Sequence, residues 1–183
     1  MNVKKILSDS MIELLKSNTI DHITVRDVLE KSGVSRATFY KYFRDKMDLM
    51  LYPFFQFMEQ NLKSSDAINQ VELYIRLLQF MKENQKFFEN AFKSRGQNSC
   101  EYEMCGYGVK LFRKSYIYLI GKEDAALTQE EEYWIEFYSC GAHSVVKKWV
   151  ENGMKESPEM MGELIYNCMP VNLREHAEEG THI

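Results

Sequence analysis

The stretch that decides the fold runs from Ile23 to Lys46 and reads ITVRDVLEKSGVSRATFYKYFRDK. Thr24 can cap a first helix, and Asp27 follows three residues later, in the position that a capping box requires. Gly33 ends this helix, because glycine enters the left-handed backbone conformation without steric cost. Ser35 can then cap a second helix. Two short helices that meet across a glycine at this spacing predict a helix-turn-helix.

The second helix, Arg36 to Phe43, should bury Phe39 and Phe43 on one side, since they are four residues apart. A helix this short is not stable alone, so we expect its exposed side to serve a partner. Cations and hydroxyls hold DNA phosphates, while the first turn of such a helix can read base edges in the major groove. We therefore predict DNA binding, and the alternative is a helical hairpin with a merely solvated basic face. The residues expected on the exposed side of this helix, or just after its end, are Arg36, Thr38, Tyr40, Lys41, Tyr42, Arg44 and Lys46.

Residues 24–28 (TVRDV), 31–35 (KSGVS) and 38–43 (TFYKYF), followed by Lys46, resemble the TetR family of bacterial transcriptional regulators. The resemblance covers the first quarter of the chain. It implies an all-helical homodimer whose C-terminal domain senses a ligand and sets the spacing of two DNA-reading heads. It also implies that Tyr42, which stands where many members carry His, and Lys46 bind phosphates. The residues expected to contact DNA are Thr24, Ser35, Arg36, Ala37, Thr38, Tyr40, Lys41, Tyr42 and Lys46.

Charge divides the chain in the same place. Through Lys46 there are 9 Lys and Arg against 6 Asp and Glu, and from Met47 onward there are 14 against 21. Phosphate repels an acidic body, so DNA contact should be confined to the basic head, and affinity should fall steeply with salt. We predict an all-α chain with a helix-turn-helix DNA-binding domain at residues 1–46 and a larger helical ligand-binding and dimerisation domain at residues 47–183. Asp45 should cap a long helix toward Lys63, whose start, with Lys46, suits a phosphate.

The four cysteines are spread too widely for a disulfide framework. We expect reduced thiols in a cytoplasmic protein, because the chain has neither an export signal nor 18 consecutive apolar residues. Cys100 and Cys105 could be taken as a metal or redox pair, but their spacing turns them apart on a helix. The alternative is that each cysteine is a small apolar residue. We predict no cofactor and no metal site.

The body is rich in aromatic residues and methionine, which could line a cavity for a small apolar effector. Such a cavity is expected between the helix from Lys46 and the helices around Phe88, Tyr107 and Tyr138. Aromatic residues at helical spacing more often form plain core, which is the alternative here. Gly106 and Gly108 suggest close helix packing or a break beside the cavity. The candidate ligand-binding residues are Phe54, Met58, Phe88, Phe92, Met104, Tyr107, Trp134 and Tyr138.

The strongest helical pattern of the body spans residues 128–152. Thr128 and Glu131 form a second capping box pattern, and Gly141 and Ala142 at the centre invite close approach of another helix. A further helix should begin at Pro158. The family resemblance implies that these last two helices pair with their copies in a four-helix dimer interface, whereas an intramolecular core is the alternative. The candidate interface residues are Tyr138, Ala142, Val145, Trp149, Met161, Leu164 and Ile165.

No nucleophile elbow, metalloprotease motif or phosphate-binding glycine loop occurs, so an enzyme is not expected. The predicted function is a ligand-responsive transcriptional regulator, expected to be a repressor, that binds a palindromic double-stranded DNA operator as a homodimer. The alternative is a helix-turn-helix co-regulator whose C-terminal domain binds a protein partner, which an exposed apolar groove would favour. No membrane partner is expected. Residues 94–99 should form a loop, and residues 174–183 a frayed polar tail.

Overall fold

The computed structural model of the protein describes residues 2–63, 70–93, 100–120, 127–171 and 174. Regular structure within these residues is entirely helical, which confirms the all-α prediction. The predicted loop at residues 94–99 and all but the first residue of the predicted tail lie outside the described residues. No described helix has both the length and the apolar composition to cross a membrane. The helices are α1 (Val3–Leu15), α2 (Val25–Ser32), α3 (Arg36–Tyr42), α4 (Lys46–Lys63), α5 (Gln70–Glu83), α6 (Gln85–Ala91), α7 (Cys100–Ile120), α8 (Gln129–Glu151) and α9 (Pro158–Asn167), with a 3-10 turn at Ile20–His22.

The chain packs into two compact units. The head unit combines residues 1–64 with residues 84–102, and the body unit combines residues 65–83 with residues 103–183. The head unit therefore includes α4 and α6 in addition to the helix-turn-helix. The functional division predicted at residue 46 stays a prediction, because a packing unit is not the same thing as a DNA-binding domain.

The core of the head unit forms between α1 and the helix-turn-helix. Leu7, Met11 and Leu15 of α1 and Phe39 of α3 are completely buried. The three α1 residues are four positions apart, so they lie on one face of the helix, as in an amphipathic helix packed on a core. Helix α6 is joined to the end of α1, since the Asn90 side-chain amide donates to the Leu15 carbonyl at 2.7 Å. That bond satisfies one of the carbonyls that the end of a helix leaves without a partner.

The body unit is held together by close packing of α9 on α5 and by hydrogen bonds from aromatic side chains. The Tyr138 hydroxyl of α8 donates to the Ile165 carbonyl of α9 at 2.8 Å. The Trp149 indole donates to the Glu156 carbonyl at 3.2 Å, and Lys82 of α5 donates to the same oxygen at 3.2 Å. These bonds tie α5, α8 and the start of α9 together.

Gly162 allows α9 to lie directly on α5. A Cβ at this position would stand 2.7 Å from Ile75 Cγ1 and 3.2 Å from the Ile75 backbone nitrogen. Gly162→Ala should therefore lower the free energy of unfolding by about 1–2 kcal/mol, because overpacking against backbone outweighs the gain in helix propensity. Thermal unfolding followed by circular dichroism measures the effect. Gly106→Ala is the matched control and should raise the melting temperature; equal shifts in both variants would contradict the close contact.

The two glycines of α7 do not have the role that the sequence suggested. Helix α7 runs through Gly106 and Gly108 without a break, and a Cβ at either position would meet no atom within 4 Å in the part of the chain that the structure describes. The expectation of close packing or a break at these glycines is therefore wrong. The physical reason is that both face open space, where glycine only costs helix propensity, by about 1 kcal/mol.

Candidate nucleic-acid interface

Local hydrogen bonds fix both ends of α2. The Thr24 hydroxyl accepts from the Asp27 backbone N–H at 3.2 Å, and the Asp27 carboxylate accepts from the Thr24 backbone N–H at 2.7 Å. Hydrogen bonds from the Thr24 side chain and backbone lower the pKa of the Asp27 carboxyl. At the other end Gly33 has φ 67°, in the left-handed region. The predicted capping box and glycine stop are both present, and they set the turn that leads into α3.

Helix α3 is anchored by one side and capped by the residue that precedes it. The Ser35 hydroxyl accepts from the Thr38 backbone N–H at 3.2 Å, and the two hydroxyl oxygens are 2.8 Å apart. Phe39 is completely buried, and its ring centroid is 6.0 Å from that of Phe43, which is also buried. The predicted buried side of this helix is therefore confirmed, and its opposite side is available to a partner.

The exposed side of α3 carries two pairs of a cation and an aromatic ring. The Arg36 guanidinium lies 5.6 Å from the centre of the Tyr40 ring, and the Lys41 ammonium lies 5.8 Å from the Tyr42 ring. Tyr40 and Tyr42 remain 48% and 37% exposed. Exposed cation–π contacts contribute about 0.5–1 kcal/mol, so these cations can readily exchange a ring for a phosphate or a base. Of the residues predicted to contact DNA, Thr24, Ser35, Arg36, Ala37, Tyr40, Lys41 and Tyr42 are exposed, and Thr38 and Lys46 are half-buried.

Lys46, expected to bind a phosphate, has a different set of partners within the head unit. Its ammonium donates to the carbonyl oxygens of Ile20 and Ile23, each at 2.8 Å, with the Asp21 carbonyl at 3.4 Å. The ammonium thus closes the turn between α1 and α2 against the start of α4. Sequence reasoning missed this role, because carbonyls more than 20 residues away leave no pattern around Lys46. Phosphate binding by Lys46 stays a prediction.

The N-terminal end of α4 is capped by a carboxylate of the same chain. Asp45 Oδ1 accepts from the backbone N–H groups of Met47 and Asp48 at 2.8 and 2.9 Å. The predicted cap is therefore present. Since two N–H groups of the first turn already bind a carboxylate, a phosphate at this helix end would have to displace Asp45. The arrangement favours phosphate contacts from α3 over contacts at the start of α4.

Two family descriptions match the chain. Residues 9–52, which contain the helix-turn-helix, match "Bacterial regulatory proteins, tetR family", and residues 69–170 match "Transcriptional regulator C-terminal region". The chain belongs to the TetR family. It is a DNA-binding transcriptional regulator and not an enzyme, as the resemblance of residues 24–46 implied. This TetR-family regulator therefore uses the helix-turn-helix of α2 and α3 to bind DNA.

Individual relatives agree with this assignment. The curated protein "HTH-type dhaKLM operon transcriptional activator DhaS" of Lactococcus lactis subsp. lactis (strain IL1403) is 30% identical over 90 residues. That match covers 49% of this chain and 48% of the relative, about half the length of each. A solved structure described as "Dihydroxyacetone kinase operon activator DhaS" has a TM-score of 0.66 at 20% identity and covers 95% of this chain and 97% of its own. A TetR regulator from Streptococcus agalactiae 2603V has a TM-score of 0.61 at 19% identity, over 89% and 90% of the two chains. At these identities the two structures show the fold.

The eight candidate ligand-binding residues divide between the two units. Phe54, Met58, Phe88 and Phe92 are buried in the head unit. The other four belong to the body unit, where Met104 and Tyr138 are buried, Tyr107 is half-buried and Trp134 is exposed. A single cavity lined by all eight residues stays a prediction.

The candidate interface residues differ in exposure. Tyr138, Trp149, Met161 and Ile165 are covered by their own chain, which leaves them little surface to offer a second copy. Ala142 is half-buried, while Val145 and Leu164 are exposed. The candidate interface residues leave out other exposed aromatic and apolar residues of these two helices, including Tyr133, Phe137 and Met160. Phe137 could have been found, because it lies at helical spacing from Trp134 and Gly141.

The two cations of α3 should affect DNA binding differently. Arg36→Ala should change base preference at particular operator positions by about 1–3 kcal/mol, since Arg36 opens the helix that reads base edges. Lys41→Ala should weaken binding to all duplexes and reduce the slope of log affinity against log salt by about 1. Binding of each variant to a panel of single-base operator variants, at several salt concentrations, measures both effects. Identical base preferences in the two variants would contradict this division.

Proposed function

We propose that this regulator binds a near-palindromic operator as a homodimer, and that a small, largely apolar effector in the body unit changes its operator affinity. The dimer rests on one observation: apolar side chains of α8 and α9 that their own chain leaves uncovered. Phe137, which is 84% exposed, is the most prominent of them. We call these exposed residues of the two helices, taken together, the outer face: Trp134, Phe137 and Val145 on α8, and Met160 and Leu164 on α9.

The outer face has the spacing and the room that a helix pair needs. Trp134, Phe137, Gly141 and Val145 follow one another at intervals of three or four residues, so they form one stripe along α8. A Cβ at Gly141 would meet no atom of the described residues within 4 Å. A helix of a second copy can therefore approach α8 closely at this point. Exposed apolar stripes of this kind on soluble proteins mark interaction surfaces.

The two-fold symmetry of the proposed dimer predicts the symmetry of the DNA site. In a symmetric dimer both copies use the same surface, so one stripe on each chain is sufficient. Helix-turn-helix dimers then place their recognition helices, here α3, in major-groove segments one helical turn or a multiple of it apart. The operator should therefore be a near-palindrome with that spacing between its half-sites.

A buried hydroxyl supports an effector in the body unit. The Ser139 hydroxyl of α8 is buried and has no hydrogen-bond partner among the described residues. The hydroxyl of the preceding residue, Tyr138, donates to the Ile165 carbonyl, and burial raises its pKa far above the ordinary value, so it stays protonated. A buried hydroxyl without a partner costs about 1–3 kcal/mol, which an effector atom bonded to it would recover. We therefore propose an apolar effector that carries one polar atom.

The direction of regulation has two candidates. Repression is the direction expected from the sequence. Activation is favoured by the relatives, because both DhaS proteins are described as operon activators. A reporter gene placed behind the selected operator distinguishes them: deletion of the regulator raises expression if it represses and lowers expression if it activates.

The mass of this chain, free and on DNA, tests the proposed function. Sedimentation should give twice the chain mass of 21.7 kDa, and selection from random duplexes should enrich two inverted half-sites. Selection of one half-site by a monomer would overturn the dimer. A chain that sediments as a monomer alone, and forms a larger complex only with a second protein, would favour the co-regulator alternative over the homodimer. In that alternative the second protein covers the outer face.

A further inference from the structure

Two cysteine thiols meet in the body unit at a place that the proposed function does not use. Cys105 lies on α7 and Cys140 on α8, and their Sγ atoms are 3.5 Å apart. Cys140 is exposed, whereas Cys105 is half-buried. They are 35 residues apart in the sequence, so the cysteine spacing did not indicate the pair. A contact this short allows two thiols on different helices to react with each other.

The distance suits reversible formation of a disulfide. A disulfide holds its sulfur atoms about 2.0 Å apart, so these two must approach by about 1.5 Å. Rotation about the Cα–Cβ bonds of the two residues moves both sulfur atoms, and any distance that remains must come from a small shift of α7 toward α8. The bond would then join α7 to α8 within the body unit.

We propose that Cys105 and Cys140 are a redox-modified dithiol that is oxidised by low-molecular-weight disulfides. The exposed Cys140 thiolate attacks one sulfur of the small disulfide, forms a mixed disulfide and releases the first small thiol. The Cys105 thiolate then attacks Cys140 Sγ and expels the second small thiol. In total the protein dithiol loses two electrons and two protons, and the small disulfide gains them as two thiols.

Exposure decides the order of these steps. Thiol–disulfide exchange needs access to the attacking sulfur, which Cys140 has to a greater degree than Cys105. Cys140 also lies about 100° or more around α8 from Trp134, Gly141 and Val145, on the side where its sulfur meets Cys105. Three of the four residues of the outer-face stripe are therefore directed away from this thiol, whereas Phe137 lies about 60° from it.

The modification links α7 to the helix that carries most of the outer face. A covalent bond to α8 would restrict how that helix adjusts to a second copy or to an effector. An effect on operator binding rests on the proposed function, whereas formation of the bond does not. Mass and DNA affinity must therefore be measured separately on the same samples.

A titration with oxidised and reduced glutathione tests the proposal on the whole 183-residue chain. Intact mass and peptide mapping should show an intramolecular Cys105–Cys140 disulfide and little glutathione adduct. Cys105→Ser should accumulate at least about tenfold more glutathione on Cys140 than the native protein, because the resolving thiol is absent. Cys168→Ser is the matched control, since Cys168 is also exposed, and it should behave as the native protein does.

Three results would overturn the proposal. The first is a stable glutathione adduct on Cys140 of the native protein, at the level found in Cys105→Ser. The second is a disulfide between two copies of the chain through Cys140. The third is an unmodified pair under conditions that modify Cys168. An intramolecular disulfide with unchanged operator affinity would support the dithiol while counting against its effect on the proposed dimer.

Discussion

Phe137→Glu should convert the dimeric protein to a monomer and lower its operator affinity by at least about 100-fold, which corresponds to about 2.7 kcal/mol. Phe137 is 84% exposed in the single chain, so the carboxylate costs little there. In a two-fold interface the substitution occurs twice and places a charge in an apolar surface without a partner. Sedimentation velocity measures the mass, and fluorescence anisotropy on the selected operator measures the affinity.

Lys110→Glu is the matched control for Phe137→Glu, because it adds a carboxylate to an exposed position of α7 in the same unit. It should leave both mass and affinity unchanged. Trp149→Glu is a poor test, since Trp149 is buried and bonded to the Glu156 carbonyl and its loss would unfold the body unit. An unchanged sedimentation coefficient for Phe137→Glu would place the dimer interface elsewhere.

The features that the sequence predicted correctly depend on neighbours in the chain. The capping boxes at Thr24 and Thr128, the glycine stop at Gly33, the cap at Ser35 and the helix start at Pro158 are all present in the structure. Each is formed between residues within a few positions of one another, so residue type and spacing are sufficient to specify it. The helix-turn-helix is made of such features, which explains why the DNA-binding part of the chain was predicted well.

Features that depend on packing between distant residues were not predictable. Helix α8 carries large apolar residues on more than one side, so its pattern did not decide whether Trp149 or Phe137 faces outward. The structure buries Trp149 and exposes Phe137. The Cys105–Cys140 contact likewise depends on how α7 lies against α8. Helical periodicity defines a face but does not say which neighbour covers it.

Lys46→Met should destabilise the protein, and its effect on DNA binding should follow from that loss of stability. Methionine keeps an apolar side chain of similar length but cannot donate to the carbonyls of Ile20 and Ile23. Hydrogen bonds to a charged group contribute about 1.5–3 kcal/mol each, and water can replace part of them at this half-buried site. We expect the free energy of unfolding to fall by about 2–3 kcal/mol, measured by urea denaturation.

Lys41→Met separates stability from phosphate binding, because the Lys41 ammonium is exposed on α3 and contacts only the Tyr42 ring among its described partners. It should leave the denaturation midpoint unchanged and reduce the salt slope of operator binding by about 1. Lys46→Met should lower the denaturation midpoint and leave the salt slope unchanged, when binding is measured at a temperature where the variant is folded. The opposite outcome is a Lys46→Met variant that keeps the native denaturation midpoint and shows a smaller salt slope of operator binding. That result would mean that the Lys46 ammonium of the native protein leaves the three carbonyls and binds a phosphate on DNA. The role implied by the family resemblance would then be correct, and the bonds in the free protein would be the resting position of that side chain.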